Sequence, residues 1–211
     1  MHKSHFTLGG VTFDTRLTLA IVLTTLLALL DAYGHRLASI VAYNRFIYYF
    51  IIPALVITLL WRESLADYGL RLGRWREGWL WVLGAGLGMA LILWFVARQP
   101  AMADYYQARL SDNPARAIGL TAVEMFGWEF VWRGFLLFAL ARVVGPGPAI
   151  FLQAVPFTFM HLGKPEIETL TTIFGGAGFG FIAWRTRSFL YPWLIHWFIM
   201  SFTMLVAAGV I

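Results

Sequence analysis

Seven long apolar stretches, separated by short segments that carry charges, glycine or proline, are the feature that most limits how this chain can fold. They cover approximately residues 17–33, 46–61, 79–97, 118–143, 148–160, 170–184 and 189–208. A helix needs about 20 apolar residues to cross the hydrocarbon core of a bilayer. The pattern therefore predicts an all-α integral membrane bundle of about seven transmembrane helices, with six to eight as the range.

The composition agrees with lipid as the solvent of this chain. Of 211 residues, 60% are hydrophobic and only 13% are charged, whereas a soluble domain carries about 25% charged residues. Seven helices would use about 140 residues, which predicts a single transmembrane domain over residues 1–211. The chain has no cysteine, which excludes disulfides, thiolate nucleophiles and cysteine metal sites.

The basic residues are spread along the chain, so we expect membrane lipids as partners and no nucleic acid. With the N-terminus in the cytoplasm, nine Lys and Arg side chains, Lys3 among them, fall on the inner side and six on the outer side. This distribution predicts a cytoplasmic N-terminus. Gly176 and Gly180 stand four residues apart, which predicts close contact with a neighbouring helix.

Ionisable residues inside the fourth apolar stretch stand out, because a charge at the bilayer centre costs about 2.5–3.5 kcal/mol. Glu129 lies near the middle of that stretch, and Arg133 follows four residues later on the same helical face. A structural ion pair is one interpretation of the two residues. A functional site at membrane depth is the other.

Two histidines and two further carboxylates extend the set of candidates. His161 ends the fifth stretch and His196 lies inside the seventh. Glu124 lies inside the fourth stretch, and Glu168 follows Lys164 and Pro165. Two imidazoles and a carboxylate can hold Zn²⁺ or another divalent metal, or can activate water directly. Because the histidines are 35 residues apart, only helix packing could bring them together. Each could instead be an ordinary core histidine, and each glutamate a helix cap.

These residues resemble the motifs of the CPBP family of intramembrane proteases, which includes the type II CAAX-processing endopeptidases and Abi-like bacteriocin-processing homologues. The family's Glu-Glu-x-x-x-Arg motif is matched at residues 128–133, and its Phe-x-x-x-His motif by Phe157 to His161. Its His-x-x-x-Asn/Asp motif is matched at His196, with Met200 in the last place. The resemblance covers about residues 124–200, within a family-like core at about 118–208.

The resemblance implies an intramembrane polar cavity and hydrolysis of a peptide bond by water that glutamate and histidine activate. It carries Glu129, Arg133, His161 and His196 over as catalytic residues, with His161 and His196 as ligands if a metal is bound. It also implies a membrane-associated substrate, lipidated or bearing a leader peptide, and a bacterial plasma membrane as the location.

Two departures from the family motifs leave alternatives open. Trp128 replaces the leading glutamate of the first motif, and Met200 replaces the amide or acid of the third. One hypothesis, which we favour, is an active variant in which Glu129 is the base, helped by Glu124 or Glu168. A second is an inactive homologue that serves as a membrane binding, immunity or scaffold protein. A third is a small proton-coupled transporter, which would also place Glu and His at depth.

Overall fold

A computed structural model describes residues 5–110 and 113–211, so Lys3 lies outside the described residues. An antiparallel hairpin of β1 (His5–Leu8) and β2 (Val11–Asp14) precedes the helices, and a 3₁₀ turn lies at Leu65–Tyr68. The helices are α1 (Thr15–Ala32), α2 (Val41–Leu60), α3 (Trp75–Val96), α4 (Pro100–Gln107), α5 (114–144), α6 (Pro146–Phe159), α7 (Glu166–Thr186) and α8 (Leu190–Ala207). The helical architecture confirms the predicted all-α class, and the hairpin is an element that the sequence did not predict.

Within the described residues, four helices are long and apolar enough to cross a membrane, namely α1, α2, α3 and α8. Helix α6 has 14 residues, about 21 Å at 1.5 Å per residue, which is less than the roughly 30 Å of a hydrocarbon core. The number of seven spans therefore stays a prediction, as does the cytoplasmic N-terminus.

Helix α5 is the central element of the bundle. All residues from 127 to 140 are buried, and the segment Phe130–Leu136 has the wider π-helical hydrogen bonding between regular α-helical halves. Helix α2 has π-helical turns on both sides of Pro53. The turn before it is explained by Pro53, because proline lacks an N–H and clashes with the carbonyl four residues before it. Short π segments inside α-helices are frequent at functional sites.

The contact between α6 and α7 depends on glycine. A Cβ atom at Gly176 would lie 2.9 Å from Phe157 Cδ1, and one at Gly180 would lie 2.6 Å from Gln153 Nε2. Gln153 Nε2 donates to the Gly176 carbonyl at 2.9 Å. The small residues therefore permit the close helix approach that their spacing predicted.

Charged clusters lie at both ends of the bundle. At one end Glu63 is paired with Arg16 and Arg142 and accepts a hydrogen bond of 2.6 Å from the Tyr68 hydroxyl. The corresponding cluster at the other end joins α1, α2 and α5 and is described with the site. Between these ends, the helices carry many exposed large apolar side chains, as a lipid-facing surface requires.

Candidate active site

A buried group of three charged or polar side chains joins α5 to α8. Arg133 Nη1 donates to Glu129 Oε1 at 3.1 Å, and His196 Nδ1 donates to the same oxygen at 2.6 Å. Glu129 and Arg133 are fully buried, and His196 is nearly so. The structure thus brings together three of the residues that the sequence predicted, through the i,i+4 spacing on α5 and the packing of α8 against it.

The Arg133 guanidinium is also enclosed by aromatic rings. Its Cζ lies 3.8 Å from the centroid of Phe157 and 5.2 Å from that of Phe179, and such cation–π contacts help to offset the loss of hydration. Glu129 Oε2 is buried with no hydrogen-bond partner among the described residues. Because a carboxylate only accepts hydrogen bonds, the Nδ1 proton of His196 is held by Glu129. Nε2 of the ring is left for another partner.

His161 follows the end of α6 and is held on two sides. Its Nδ1 donates to the Phe157 carbonyl at 2.8 Å, and Thr169 Oγ1 donates to the His161 carbonyl at 2.9 Å. A carbonyl cannot donate, so Nδ1 carries the proton and Nε2 of the neutral ring is an acceptor. Burial and then the Lys164 cation lower the pKa of His161 far below its usual range, which keeps the ring neutral.

Glu168, in the first turn of α7, faces His161 across a short gap. Glu168 Oε1 lies 4.0 Å from His161 Nε2 and accepts a hydrogen bond of 2.7 Å from Lys164 Nζ. Glu168 Oε2 accepts one of 2.6 Å from the Tyr106 hydroxyl. Burial, followed by the charge of Glu168, raises the pKa of Tyr106, so this hydroxyl keeps its proton.

A cavity of about 370 Å³ lies between α3, α4, α7 and α8 and reaches both histidines. Its wall is mostly apolar, and its polar side chains include Tyr106, His161, Glu168 and His196. The two helices at its side, α3 and α7, meet near the far end, where Trp81 packs on Phe181 and Arg185 Nε donates to Glu77 Oε1 at 2.9 Å. Toward the site, both helices contribute residues to the wall of the cavity.

A second cavity of about 180 Å³ lies on the other side of the histidines and is far more polar. Arg45, Arg109, Glu124 and Lys164 line it. Three residues line both cavities: His161, His196 and Met200. The histidines therefore stand at a boundary between an apolar compartment and a charged one.

Trp128 and Met200, the two departures from the family motifs, are buried and border the cavities. The Trp128 ring contacts Tyr49 and His161 with centroids 5.2 and 6.2 Å apart, and the Arg45 guanidinium lies over it at 5.6 Å. Met200 Sδ lies 3.8 Å from the Tyr106 oxygen.

Glu124 belongs to a separate cluster at this end of the bundle. It is paired with Arg45, which also binds Asp31 Oδ2 at 2.9 Å. The Tyr49 hydroxyl donates to the same Asp31 oxygen at 3.0 Å. Glu124 therefore lines the charged cavity without a hydrogen bond to Glu129, and the Arg45 guanidinium lies over Trp128.

Sequence reasoning missed Lys164 and Tyr106 as parts of the site. The i,i+4 spacing of Lys164 and Glu168 could have suggested their ion pair, whereas nothing local indicates that Tyr106 would reach Glu168 from α4. His161 and His196 were the predicted metal ligands. Within residues 5–110 and 113–211, no three His, Asp or Glu side chains are grouped closely enough to hold a metal ion, so this arrangement does not fit a preformed metal centre.

A comparison with models of known protein families matches the same part of the chain that carries the motifs. The family model described as type II CAAX prenyl endopeptidase Rce1-like matches residues 110–202. This match confirms the resemblance that the three motifs predicted. No curated protein and no solved structure gave a significant match.

Proposed function

We propose that this integral membrane protein is an intramembrane endopeptidase, on the premise that its residues 110–202 match the model of the Rce1-like type II CAAX prenyl endopeptidases. Its substrate is a membrane-associated peptide that carries a lipid or an apolar segment next to the bond that is cut. The reaction is hydrolysis of that peptide bond by water.

The observation that carries the proposal is the position of His161 and His196 between the two cavities. Hydrolysis of a peptide attached to a lipid needs water and the apolar group to meet at one place. The larger cavity offers an apolar wall to the lipid or apolar segment. The charged cavity offers Arg45, Arg109 and Lys164 to the polar part of the peptide and to water.

We assign Glu129 and Arg133 to positioning, although the sequence suggested Glu129 as the base. Glu129 is fully buried and lines neither of these cavities, so a water in either one would not reach it. Its carboxylate holds Nδ1 of His196 at 2.6 Å, which orients the imidazole so that Nε2 is available to the substrate. Arg133 balances the buried charge of Glu129.

Cleavage of a fluorogenic farnesylated peptide with a CAAX ending, by the purified protein in detergent, tests the proposal. We expect cleavage of this peptide and weak or no cleavage of its unfarnesylated counterpart. His161→Ala and His196→Ala should each lower kcat by about 10²–10⁴-fold. An exposed histidine substitution, His35→Ala, is the matched control. Cleavage that is unchanged in both site variants would refute the assignment.

A second candidate, a non-catalytic membrane binding protein, is favoured by one observation. Trp128 and Met200 replace polar residues of the family motifs and pack as ordinary core side chains. This candidate predicts that the farnesylated peptide binds without being cut, and that binding survives His161→Ala and His196→Ala. Binding measured by fluorescence anisotropy beside the cleavage assay separates the two functions.

A further inference from the structure

His161 and Glu168 present two hydrogen-bond acceptors to the same cavity. His161 Nε2 and Glu168 Oε1 are 4.0 Å apart, too far for a hydrogen bond between them. The two acceptors would subtend an angle of about 90° at the oxygen of a water that lies about 2.8 Å from each of them. This angle is close to that between the two hydrogens of water. A single water can therefore donate one hydrogen to each acceptor and direct its lone pairs elsewhere.

We propose that Glu168 is the catalytic base of this protein and that it activates a water which His161 Nε2 also binds. The inference rests on the proposed hydrolytic function and adds the group that removes the proton. It assigns removal of the proton to Glu168, a carboxylate on α7 that lies outside the three motifs.

The neighbours of Glu168 hold its carboxylate in one orientation. Lys164 Nζ donates to Oε1 at 2.7 Å and the Tyr106 hydroxyl donates to Oε2 at 2.6 Å. Oε1 keeps a second acceptor position for the water, because a carboxylate oxygen has two lone pairs. Tyr106 and Lys164 touch the carboxylate and not the water, so both are positioning residues.

The charges around this gap favour transfer of the proton to Glu168 rather than to His161. Formation of an imidazolium at His161 is disfavoured by burial and by the nearby Lys164 cation, which both lower its pKa. A protonated Glu168 keeps the Tyr106 contact and loses only the attraction of Lys164. We therefore assign the proton to Glu168 and the orientation of the water to His161.

The step balances without any further reactant. The water oxygen forms a bond to the scissile carbonyl carbon as one of its protons passes to Glu168, and the C=O electron pair moves to oxygen. When that pair re-forms the carbonyl, the C–N bond breaks. The leaving nitrogen then takes the proton from Glu168, which restores the carboxylate.

The chain context supports this assignment. Trp128 occupies one side of the His161 ring, so no carboxylate reaches the imidazole from that point of α5. Glu168 reaches His161 from α7. Tyr106 lies beside Met200, where the third family motif would carry an amide or acid.

Cleavage of the farnesylated CAAX peptide by Glu168→Gln tests the proposal. Gln keeps the shape and an acceptor oxygen but cannot take the proton, so we expect kcat to fall by at least about 100-fold and KM to change by less than about threefold. Tyr106→Phe should lower kcat more modestly. In a Glu168→Gln background it should lower kcat little further, because Tyr106 acts through that carboxylate.

Two further variants separate catalysis from structure. Glu166→Gln changes an exposed carboxylate of the same helical turn and should retain wild-type kcat. Glu168→Asp keeps the charge, so it should fold even if Glu168→Gln does not, and it should retain a pH-dependent fraction of the activity.

The outcomes are distinct for the two claims. Wild-type cleavage together with full activity of a folded Glu168→Gln protein would overturn the assignment of Glu168 and leave the proposed function intact. A Glu168→Asp protein with the wild-type pH profile and kcat would do the same. A wild-type protein that cuts none of the peptides would overturn both.

Discussion

Single buried side chains carry much of the specificity of this fold. The contact of Glu129 with Arg133 and His196 places three ionisable groups in a region without exposed surface. Such a group is costly to desolvate, and it is far more costly when one partner is removed and a charge is left unpaired.

Glu129→Gln should therefore destabilise the protein strongly. It leaves Arg133 buried beside a neutral amide, and loss of one partner in a buried ion pair costs about 3–5 kcal/mol. Thermal unfolding in detergent, followed by circular dichroism, measures the change. Arg185→Gln is the control, since Arg185 is half exposed in its pair with Glu77 and exposed pairs contribute about 0–1 kcal/mol. Equal losses of thermal stability in the two variants would contradict the explanation that an unpaired buried charge destabilises the protein.

The pH dependence of cleavage should lack the usual histidine inflection. Burial and Lys164 lower the pKa of His161, so the ring stays neutral as the pH falls below about 6.5, the value of a free histidine. We expect kcat/KM to stay constant through that region and to fall only at lower pH. A half-maximal kcat/KM near pH 6.5 that disappears in a His161 variant would contradict this expectation.

The sequence predicted the identity of the site residues better than their contacts. Glu129 and Arg133 could be paired from their spacing alone, because the i,i+4 rule is local. The distance from His161 to Glu168 depends on how the turn after α6 is built, with His161 held by Phe157 and Thr169. The contact of Tyr106 with Glu168 joins residues 62 positions apart, and no local pattern encodes it.

At the scale of helices, α3 and α7 both contribute to the wall of the larger cavity. The helices are joined near Glu77 and Arg185 and border the cavity at their other ends. Helix α3 is the least buried of the four apolar helices, and it packs mainly against α8.

Cross-linking α3 to α7 across the cavity should impair cleavage of lipidated peptide. The chain has no cysteine, so Ile92→Cys with Thr171→Cys introduces a single pair, and both residues line the cavity. A bifunctional maleimide should lower the cleavage rate at least about tenfold if the lipid enters between these helices, because a link across the cavity blocks access.

The matched control is a cysteine pair at the joined end, Glu77→Cys with Arg185→Cys. These side chains are already in contact at 2.9 Å, so a cross-link there should leave the rate near that of the untreated variant. Equal inhibition by both cross-links would point to general rigidity, and no inhibition by either would exclude this route of access.

The sequence predicted helices correctly where the apolar runs were long. It did not predict the exact helix boundaries or the length of membrane that each helix covers. The predicted stretch at 118–143 corresponds to α5 at 114–144, but its π-helical segment depends on packing in the core that no periodicity reveals. Helix α6 matches the stretch at 148–160 and is too short to span without tilt. The sequence did not predict the N-terminal hairpin, because its eight paired residues are too few to show a long alternating pattern.

Across the whole molecule, charge clusters lie at the two ends, and the exposed surface between them is rich in large apolar side chains. Glu63 links the start of α1 through Arg16 to the end of α5 through Arg142. Burial alone would raise the pKa of Glu63, but hydrogen bonds from Arg142 and Tyr68 and the charges of both arginines outweigh it, and the pKa is lowered.

The Glu63 cluster should make stability fall in acid. A carboxyl with a lowered pKa stabilises the folded state above its unfolded pKa, about 4.3, and this contribution is lost as the pH falls through the folded value. Glu63→Gln should therefore unfold at a lower temperature than wild type at pH 7, and the difference should shrink toward pH 3. Asp67→Asn, at an exposed carboxylate nearby, should show little difference at either pH.

The shared wall of His161, His196 and Met200 between the two cavities has a consequence for what happens after a cut. The proposed cleavage of a lipidated peptide gives one apolar fragment and one polar fragment. In the proposed reaction, the lipidated fragment would remain against the apolar wall of the larger cavity, and the polar fragment would remain in the charged cavity beside Arg109. Release of one fragment would then not depend on release of the other.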